Sequence, residues 1–229
     1  MLLRLLLIGL KGFLPLAFLL ALMFYWLHLT LARPVGQVEI FGEVRHTNLQ
    51  ALQENALPWL EAPFWQVDLA GLQAALEADP WLRHVEVTRR WPDTVHLQLH
   101  EQRVWATWND RALLNDAGEP FYPPNPLDFP TGRLLYVEQE NLQDAVALWR
   151  SVEALGGRYQ FILTRMQLEP RGAWQLELNG AVRVLMGRDN IEGRMNRFLW
   201  AWQTWLHEQQ AELKQVDLRY PNGLTVTRY

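Results

Sequence analysis

From Gly12 to Ala32 the chain carries no aspartate, glutamate, lysine or arginine, and no other feature constrains its architecture as strongly. A bilayer core of about 30 Å is spanned by roughly 20 apolar residues rising 1.5 Å each. This run is that long, and Tyr25, Trp26 and His28 lie near its far end, where amphipathic rings suit a membrane interface. The alternative is a cleaved export signal with Arg4 and Lys11 as its basic part and Thr30-Leu31-Ala32 as the cleavage site. Such signals usually have an apolar core of about 7–15 residues, shorter than this one. The spacing therefore predicts a retained helix over 12–32 behind a short tail, 1–11. Arg4 and Lys11 face Arg33 and Arg45 across the run, so the charge rule leans only slightly towards an inside N-terminus. No second run of spanning length follows, which places the chain from Arg33 onward on one side.

Beyond the run, charges of both signs are interspersed with large apolar residues, and the chain's twelve tryptophans supply ample core material. About 195 residues suffice for one domain or two, since domains commonly hold 50 to 250. The absence of cysteine excludes disulfides, cysteine-ligated zinc and thiol nucleophiles. A formal net charge of −4 argues against nucleic acid as partner, because phosphate binding calls for a strongly basic face.

Val38 to Gly42 alternates and ends on glycine, which predicts a strand. Thr47 and Gln50 stand at capping-box spacing before Leu49, Leu52, Ala56 and Leu57, a helical stripe that Pro58 should stop. Asp68 is placed to cap a second helix with Leu69, Leu72, Ala75 and Leu76 on its apolar face, and Pro80 bars continuation. Two strands of clean period two follow, one around Val85 and Val87, the other around Val95, Leu97 and Leu99, joined by a turn over 89–94. Strand, helix, helix, strand, strand makes a small α+β domain ending near Glu101.

From Val104 the pattern changes to short strands: 105–108, 113–114, a turn at 115–118, and Phe121. The proline-rich stretch 120–130 reads as a surface loop, with a polyproline ligand as the alternative. Leu142, Val146, Trp149, Val152 and Leu155 mark a helix that Gly156-Gly157 should close. Strands return at 165–169, 174–178 and 182–186, the last two joined by the hairpin signal Asn179-Gly180. Asp189 and Glu192 repeat the capping spacing before a long helix with Ile191, Met195, Phe198, Leu199, Trp202 and Leu206 on one face. Val216 to Tyr220, a turn at 221–223, and Leu224 to Tyr229 form a terminal hairpin. The second domain is thus a mostly antiparallel sheet with packed helices.

Catalytic motifs are missing from this pattern. The sequence contains no Gly-x-Ser-x-Gly elbow, no His-Glu-x-x-His and no phosphate-cradling glycine loop. His96 and His100 share a strand face but stand roughly 13 Å apart at about 3.3 Å per residue, too far for one ion. Contact is the alternative to catalysis. A terminal hairpin with no following strand can present a sheet edge whose free N–H and C=O groups accept a partner strand.

Several segments carry a family resemblance. PWLRHVEVTRRWPDT over 80–94, Glu101, 106–110, 185–188, and 216–220 with Asn222-Gly223 resemble the FtsQ/DivIB family of bitopic cell-division proteins. The resemblance covers nearly the whole chain and implies a fold: an α+β chain with one N-terminal transmembrane helix (12–32), a POTRA domain of βααββ order (36–103) and a β domain (104–229). It also implies orientation, with both domains periplasmic, anchored in the inner membrane and concentrated at the septum. The implied role is a non-enzymatic divisome scaffold without cofactor or metal. It would bind FtsB and FtsL in a trimeric complex, with FtsK upstream and FtsW and FtsI among the later proteins. Arg171, Arg219, Tyr220, Asn222, Gly223 and Leu224 match the region that receives an FtsB segment as an added strand. Pro221 departs from the family's acidic or polar residue and, lacking an N–H, can donate no ladder bond there. His84, Val87 and Arg89 match exposed POTRA positions used for recruitment. The tail 1–11 is shorter than in many relatives. The rival readings are a membrane-anchored periplasmic enzyme with an unrecognised site, and a POTRA protein of outer-membrane assembly.

Overall fold

The computed structural model describes residues 18–26 and 32–229. Residues 18–26 are helical, with their large apolar side chains exposed. No helix among the described residues is long and apolar enough to cross a membrane, and the rest of the expected span, like the tail, lies outside them. The chain divides into two compact units, the first ending at Gln102 and the second running from Arg103 to Tyr229.

The first unit contains β1 (Gln37–Phe41), α1 (Leu49–Leu60), α2 (Leu69–Leu76), β2 (Leu82–Arg90) and β3 (Thr94–Glu101). β3 is central, antiparallel to β2 and parallel to β1. Period-two alternation turns Val95, Leu97 and Leu99 to one face, where with Val85 they form a buried cluster with Leu52, Ala56, Leu72 and Leu76 of the helices. Each such leucine or valine contributes about 1.5–3 kcal/mol by leaving water.

Three local expectations for α1 are corrected. Asn48, not Thr47, caps the helix, accepting from the amides of Gln50 and Ala51 at 3.0 and 3.3 Å. Thr47 is drawn away because its amide and hydroxyl both donate to Glu101. The apolar stripe is narrower than expected: Leu52 and Ala56 are buried, while Leu57, one step around the helix, is 60% exposed. Pro58 does not stop the helix, which runs to Leu60; so near the end its missing N–H forfeits a single intrahelical bond. Asp68 does cap α2, accepting from Ala70 and Gly71 at 3.1 and 3.0 Å.

The second unit is built on one nine-stranded sheet. Its strands are β4 (Val104–Trp108), β5 (Ala112–Asn115), β6 (Pro120–Phe121), β7 (Leu134–Tyr136), β8 (Leu163–Leu168), β9 (Trp174–Leu178), β10 (Val182–Gly187), β11 (Leu213–Asp217) and β12 (Thr225–Arg228). Their spatial order is β12-β11-β10-β9-β8-β7-β4-β5-β6. The pairs β10–β11, β7–β8 and β4–β7 are parallel and the remainder antiparallel. Registered rows carry Val226, Val216, Val184, Leu176, Met166 and Leu135 across one face. These pack with the apolar stripes of α3 (Leu142–Tyr159) and α4 (Ile191–Ala201). A π-helical turn, Trp202–Leu206, prolongs α4 and keeps Trp202 and Leu206 buried.

Here too the local detail differs from expectation. α3 passes through both glycines and closes on Gln160, in the left-handed region at φ 59°, whose amide donates to the Gly156 carbonyl. Gly156 answers to packing rather than termination, since a Cβ there would lie 2.5 Å from the Phe161 carbonyl oxygen. Asn190 rather than Asp189 caps α4, accepting from Gly193 at 3.3 Å. β7 was not expected; three residues are too few to show alternation, and its parallel neighbours β4 and β8 are remote in sequence. The Asn179-Gly180 turn has φ of 55° and 67°, the left-handed pair that a two-residue hairpin between β9 and β10 requires.

Candidate functional site

β12 is the outermost strand of the large sheet, paired with β11 alone. The loop between these two strands is held by arginines of α4. Arg197 donates to the carbonyls of Tyr220, Gly223 and Pro221 at 2.7, 2.8 and 2.9 Å. One turn earlier, Arg194 donates to Met186 at 2.7 Å and reaches Arg219 O at 3.5 Å. Gly187 beneath it holds a left-handed φ of 74°, which side-chain-bearing residues rarely adopt, and a Cβ there would also press on the Arg194 guanidinium. The loop therefore has a defined backbone although most of its side chains face solvent.

Within this frame the residues singled out from sequence have distinct situations. Tyr220 is 54% exposed, so its ring is available while its carbonyl is held. Leu224 packs half-buried on the core. Asn222 is exposed. Gly223 has open space where a Cβ would go, so its contribution is the carbonyl that Arg197 grips. The Arg219 side chain folds back on Asp217, with Nε at 2.9 Å and Nη2 at 2.6 Å from its two oxygens. The Arg219 hydrogen bond holds the Asp217 carboxyl below its usual range, outweighing the opposing effect of burial. Arg171 is exposed in the β8–β9 turn. There Gly172 stands against the Arg188 stem, while Gly187 stands against Arg219, so the Arg171 turn and the Tyr220 loop share one end of the sheet. Pro221 lies in the loop and not in β12, so its missing N–H removes nothing from the ladder of that strand.

Sequence reading missed Arg194 and Arg197. The available signal was two arginines three apart on a helix whose other face is apolar. Replacing Arg197 by alanine should leave the sheet folded, cost about 1–2 kcal/mol, and speed amide exchange at 220–224; exchange at wild-type rates would mean that the loop holds its own shape.

His84, Val87 and Arg89 all lie on β2, an edge strand of the smaller sheet, but they do not form one exposed surface. His84 is exposed, its Nδ1 2.8 Å from Glu77 Oε1. Val87, on the opposite side of the strand, packs against the core. Arg89 is engaged with the carbonyls of Phe64 (3.1 Å), Trp65 (3.5 Å) and Val67. The β2 edge is itself guarded, since the Val85 amide donates to Glu77 at 3.0 Å, a device that discourages unwanted strand pairing. Hydrogen bonds from Gln73 first, then from Val85 and His84, hold the Glu77 carboxyl below its ordinary value.

Glu101 is the other site that periodicity did not reveal. Its carboxylate accepts from the amides of Arg45, His46 and Thr47, each at 2.8 Å, and from the Thr47 hydroxyl at 3.0 Å. Burial works to raise this carboxyl, and the donated hydrogen bonds outweigh it, leaving it below the ordinary value. His46 stacks on Trp81 at 4.3 Å and brings its Nδ1 to 3.5 Å from the same carboxylate.

No group of three or more His, Asp or Glu side chains among the described residues has metal-binding geometry. A cleft of about 250 Å³ is lined by Arg158, Tyr159, Gln160, Trp202, Gln203 and His207. Its lining contains no carboxylate to pair with His207.

Comparison with known proteins agrees with this two-unit layout. Residues 33–102 match the family model described as POTRA domain, FtsQ-type, and residues 103–219 match that of cell division protein FtsQ/DivIB, C-terminal. The chain is 30% identical over 206 residues to the cell division protein FtsQ of Hahella chejuensis, covering 86% of this chain and 70% of the relative. Identity to the FtsQ of Coxiella burnetii is 30% over 203 residues, covering 87% and 82%. For the FtsQ of Cellvibrio japonicus it is 31% over 222 residues, covering 93% and 67%.

Proposed function

The chain belongs to the FtsQ/DivIB family of cell-division proteins, and we propose that it works as a non-enzymatic scaffold of the divisome that takes its partner by strand addition at β12. In this reading 12–32 is a retained span of the inner membrane. The tail 1–11 is cytoplasmic, and the POTRA (36–103) and β (104–229) domains stand in the periplasm at the septum. FtsB adds a strand along β12 within a complex that includes FtsL. FtsK acts upstream, and FtsW and FtsI are among the later proteins that the scaffold links.

One observation carries the reading: the outermost strand of a nine-stranded sheet adjoins a loop whose backbone is clamped and whose tyrosine is free. Main-chain pairing along β12 supplies affinity, Tyr220 anchors an apolar side chain, and Arg171 meets an acid. Because the chain has no cysteine, a single one introduced at Thr227 can report the register. Disulfide trapping against cysteines scanned along FtsB should peak at every second FtsB position. A flat profile, or one of helical period, overturns strand addition.

Recruitment through the POTRA domain rests on β2. A fluorescent fusion carrying Arg89→Glu should lose septal localisation. Arg89 also staples the 64–67 loop, so His84→Asp, which leaves that loop alone, should show the same loss. Normal rings with His84→Asp would place the recruiting surface elsewhere.

A further inference from the structure

The first unit has one end that its own fold leaves unexplained. There the entering chain is tied to two loops: the Phe64 amide donates to Arg33 O at 2.8 Å, and the Gly36 amide donates to Asp93 O at 2.8 Å. Arg89, next to the last residue of β2 before the Trp91 loop, donates to the carbonyls of Phe64 and Trp65. Each loop puts a tryptophan into solvent, Trp65 at 44% and Trp91 at 78% exposed. Trp65 touches Phe64 edge-on at 5.0 Å, so its backbone neighbour anchors it while its outer face stays open. Arg33 and Arg90 are exposed at the same end, with no ion pair among the described residues, and the half-buried Asp93 lies against Gly36. Two exposed tryptophans beside unpaired arginines are costly for a free surface and suit a lipid headgroup layer, where indole rings concentrate and cations meet phosphates.

Chain length fixes the occupant. The uncharged run ends at Ala32, and the next residue, Arg33, is already bonded to the Trp65 loop. One extended residue reaches about 3.5 Å, whereas the headgroup layer outside the hydrocarbon core is about 5–8 Å deep on each side. If 12–32 spans the bilayer, Arg33 cannot leave that layer, and the loops bonded to it stand at or within it.

We propose that this end of the POTRA domain docks on the periplasmic headgroup layer, with Trp65 and Trp91 at the interface and Arg33 and Arg90 facing lipid phosphates. The domain is then held at a fixed attitude to the membrane instead of swinging on a linker. The inference rests on the reading of 12–32 as a retained span.

The test uses the full chain reconstituted in nanodiscs of phosphatidylcholine and phosphatidylglycerol. An environment-sensitive fluorophore is placed on a cysteine replacing exposed Gln66, beside Trp65. A control probe replaces Glu43, beyond the far end of β1. The Gln66 probe should shift to the blue and be quenched several-fold more strongly than the Glu43 probe by lipids carrying a headgroup nitroxide. Trp91→Ser and the pair Arg33→Ser, Arg90→Ser should each weaken that quenching. Equal quenching of both probes while the protein co-floats with lipid overturns the docking and leaves the tether intact. A blue shift without quenching assigns the tryptophans to a protein contact and also overturns it. Failure to co-float shows that 12–32 is no anchor, and the proposal falls with that reading.

Discussion

Tyr220→Glu should abolish capture of the periplasmic part of FtsB while leaving the fold and the melting transition unchanged. Tyr220 is a mixed case, its backbone fixed and its side chain free. The carbonyl is gripped by Arg197 at 2.7 Å, and the ring is more than half exposed, so exchanging the side chain disturbs nothing inside the domain. In a partner-bound state the same ring would leave water, and buried tyrosines rank among the residues whose truncation costs about 2–4 kcal/mol of binding, roughly 30- to 1,000-fold in Kd. Glutamate adds the cost of desolvating a charge against an apolar contact. Arg171 and Arg188, exposed at the same end of the sheet, could compensate a new carboxylate only if they were free of the partner. Pull-down with tagged FtsB, paired with a thermal melt of the variant, separates the cases. Undiminished capture by a folded Tyr220→Glu protein would sink strand addition for this chain.

Glu101→Ala should destabilise the first unit by about 2–4 kcal/mol, as much as truncating a buried core leucine. One carboxylate satisfies three consecutive backbone amides and a hydroxyl, joining the loop before α1 to the last residue of β3, more than fifty positions away. Without it the amide of the buried Thr47 loses its acceptor, and the loop that positions Asn48 as cap is released. The same site predicts a pH dependence. The folded-state carboxyl lies below its ordinary value, about 4.3 for glutamate. A depressed folded pKa means stabilisation that is complete above the unfolded value and lost as pH falls through the folded one. Acid titration of the melting temperature should therefore show a drop below pH about 4.3 that Glu101→Gln flattens, because the amide cannot ionise. A Glu101→Gln protein with the wild-type acid profile would assign the drop to other carboxylates.

Individual elements show what was readable in advance. The strands β2 and β3 and the Asp68 cap were legible because a period of two and a capping carboxylate are local signals that the tertiary structure had no reason to override. The Asn179-Gly180 turn was legible because few residue pairs accept two successive positive φ angles. Thr47 against Asn48 was not, since the choice of cap turned on Glu101, which is remote in sequence and close in space. Gly156-Gly157 misled for a similar reason: glycine served a close approach to the Phe161 carbonyl, and nothing in the helix itself distinguishes that from a stop signal. The candidate site divides the same way. Tyr220 and its neighbours were named from motif, yet the arginines that hold their backbone could not be, because side-chain-to-carbonyl bonds leave no periodic trace.

Local chemistry in the amino-acid order was enough to establish an uncharged front run, the βααββ succession of the first unit, a terminal antiparallel strand pair whose first strand lies at Leu213–Asp217 and not at the expected 216–220, and membership of a cell-division family through its motifs. Each depends on neighbours within a few residues, or on segments matched directly. Long-range packing was needed to place β12 outermost, to insert β7 between β4 and β8, to close the Arg197 clamp on the Tyr220 loop, and to bring Trp65 and Trp91 to the end where Arg33 enters. Those outcomes depend on which distant groups meet and which backbone donors they satisfy, a pairing that no local pattern encodes.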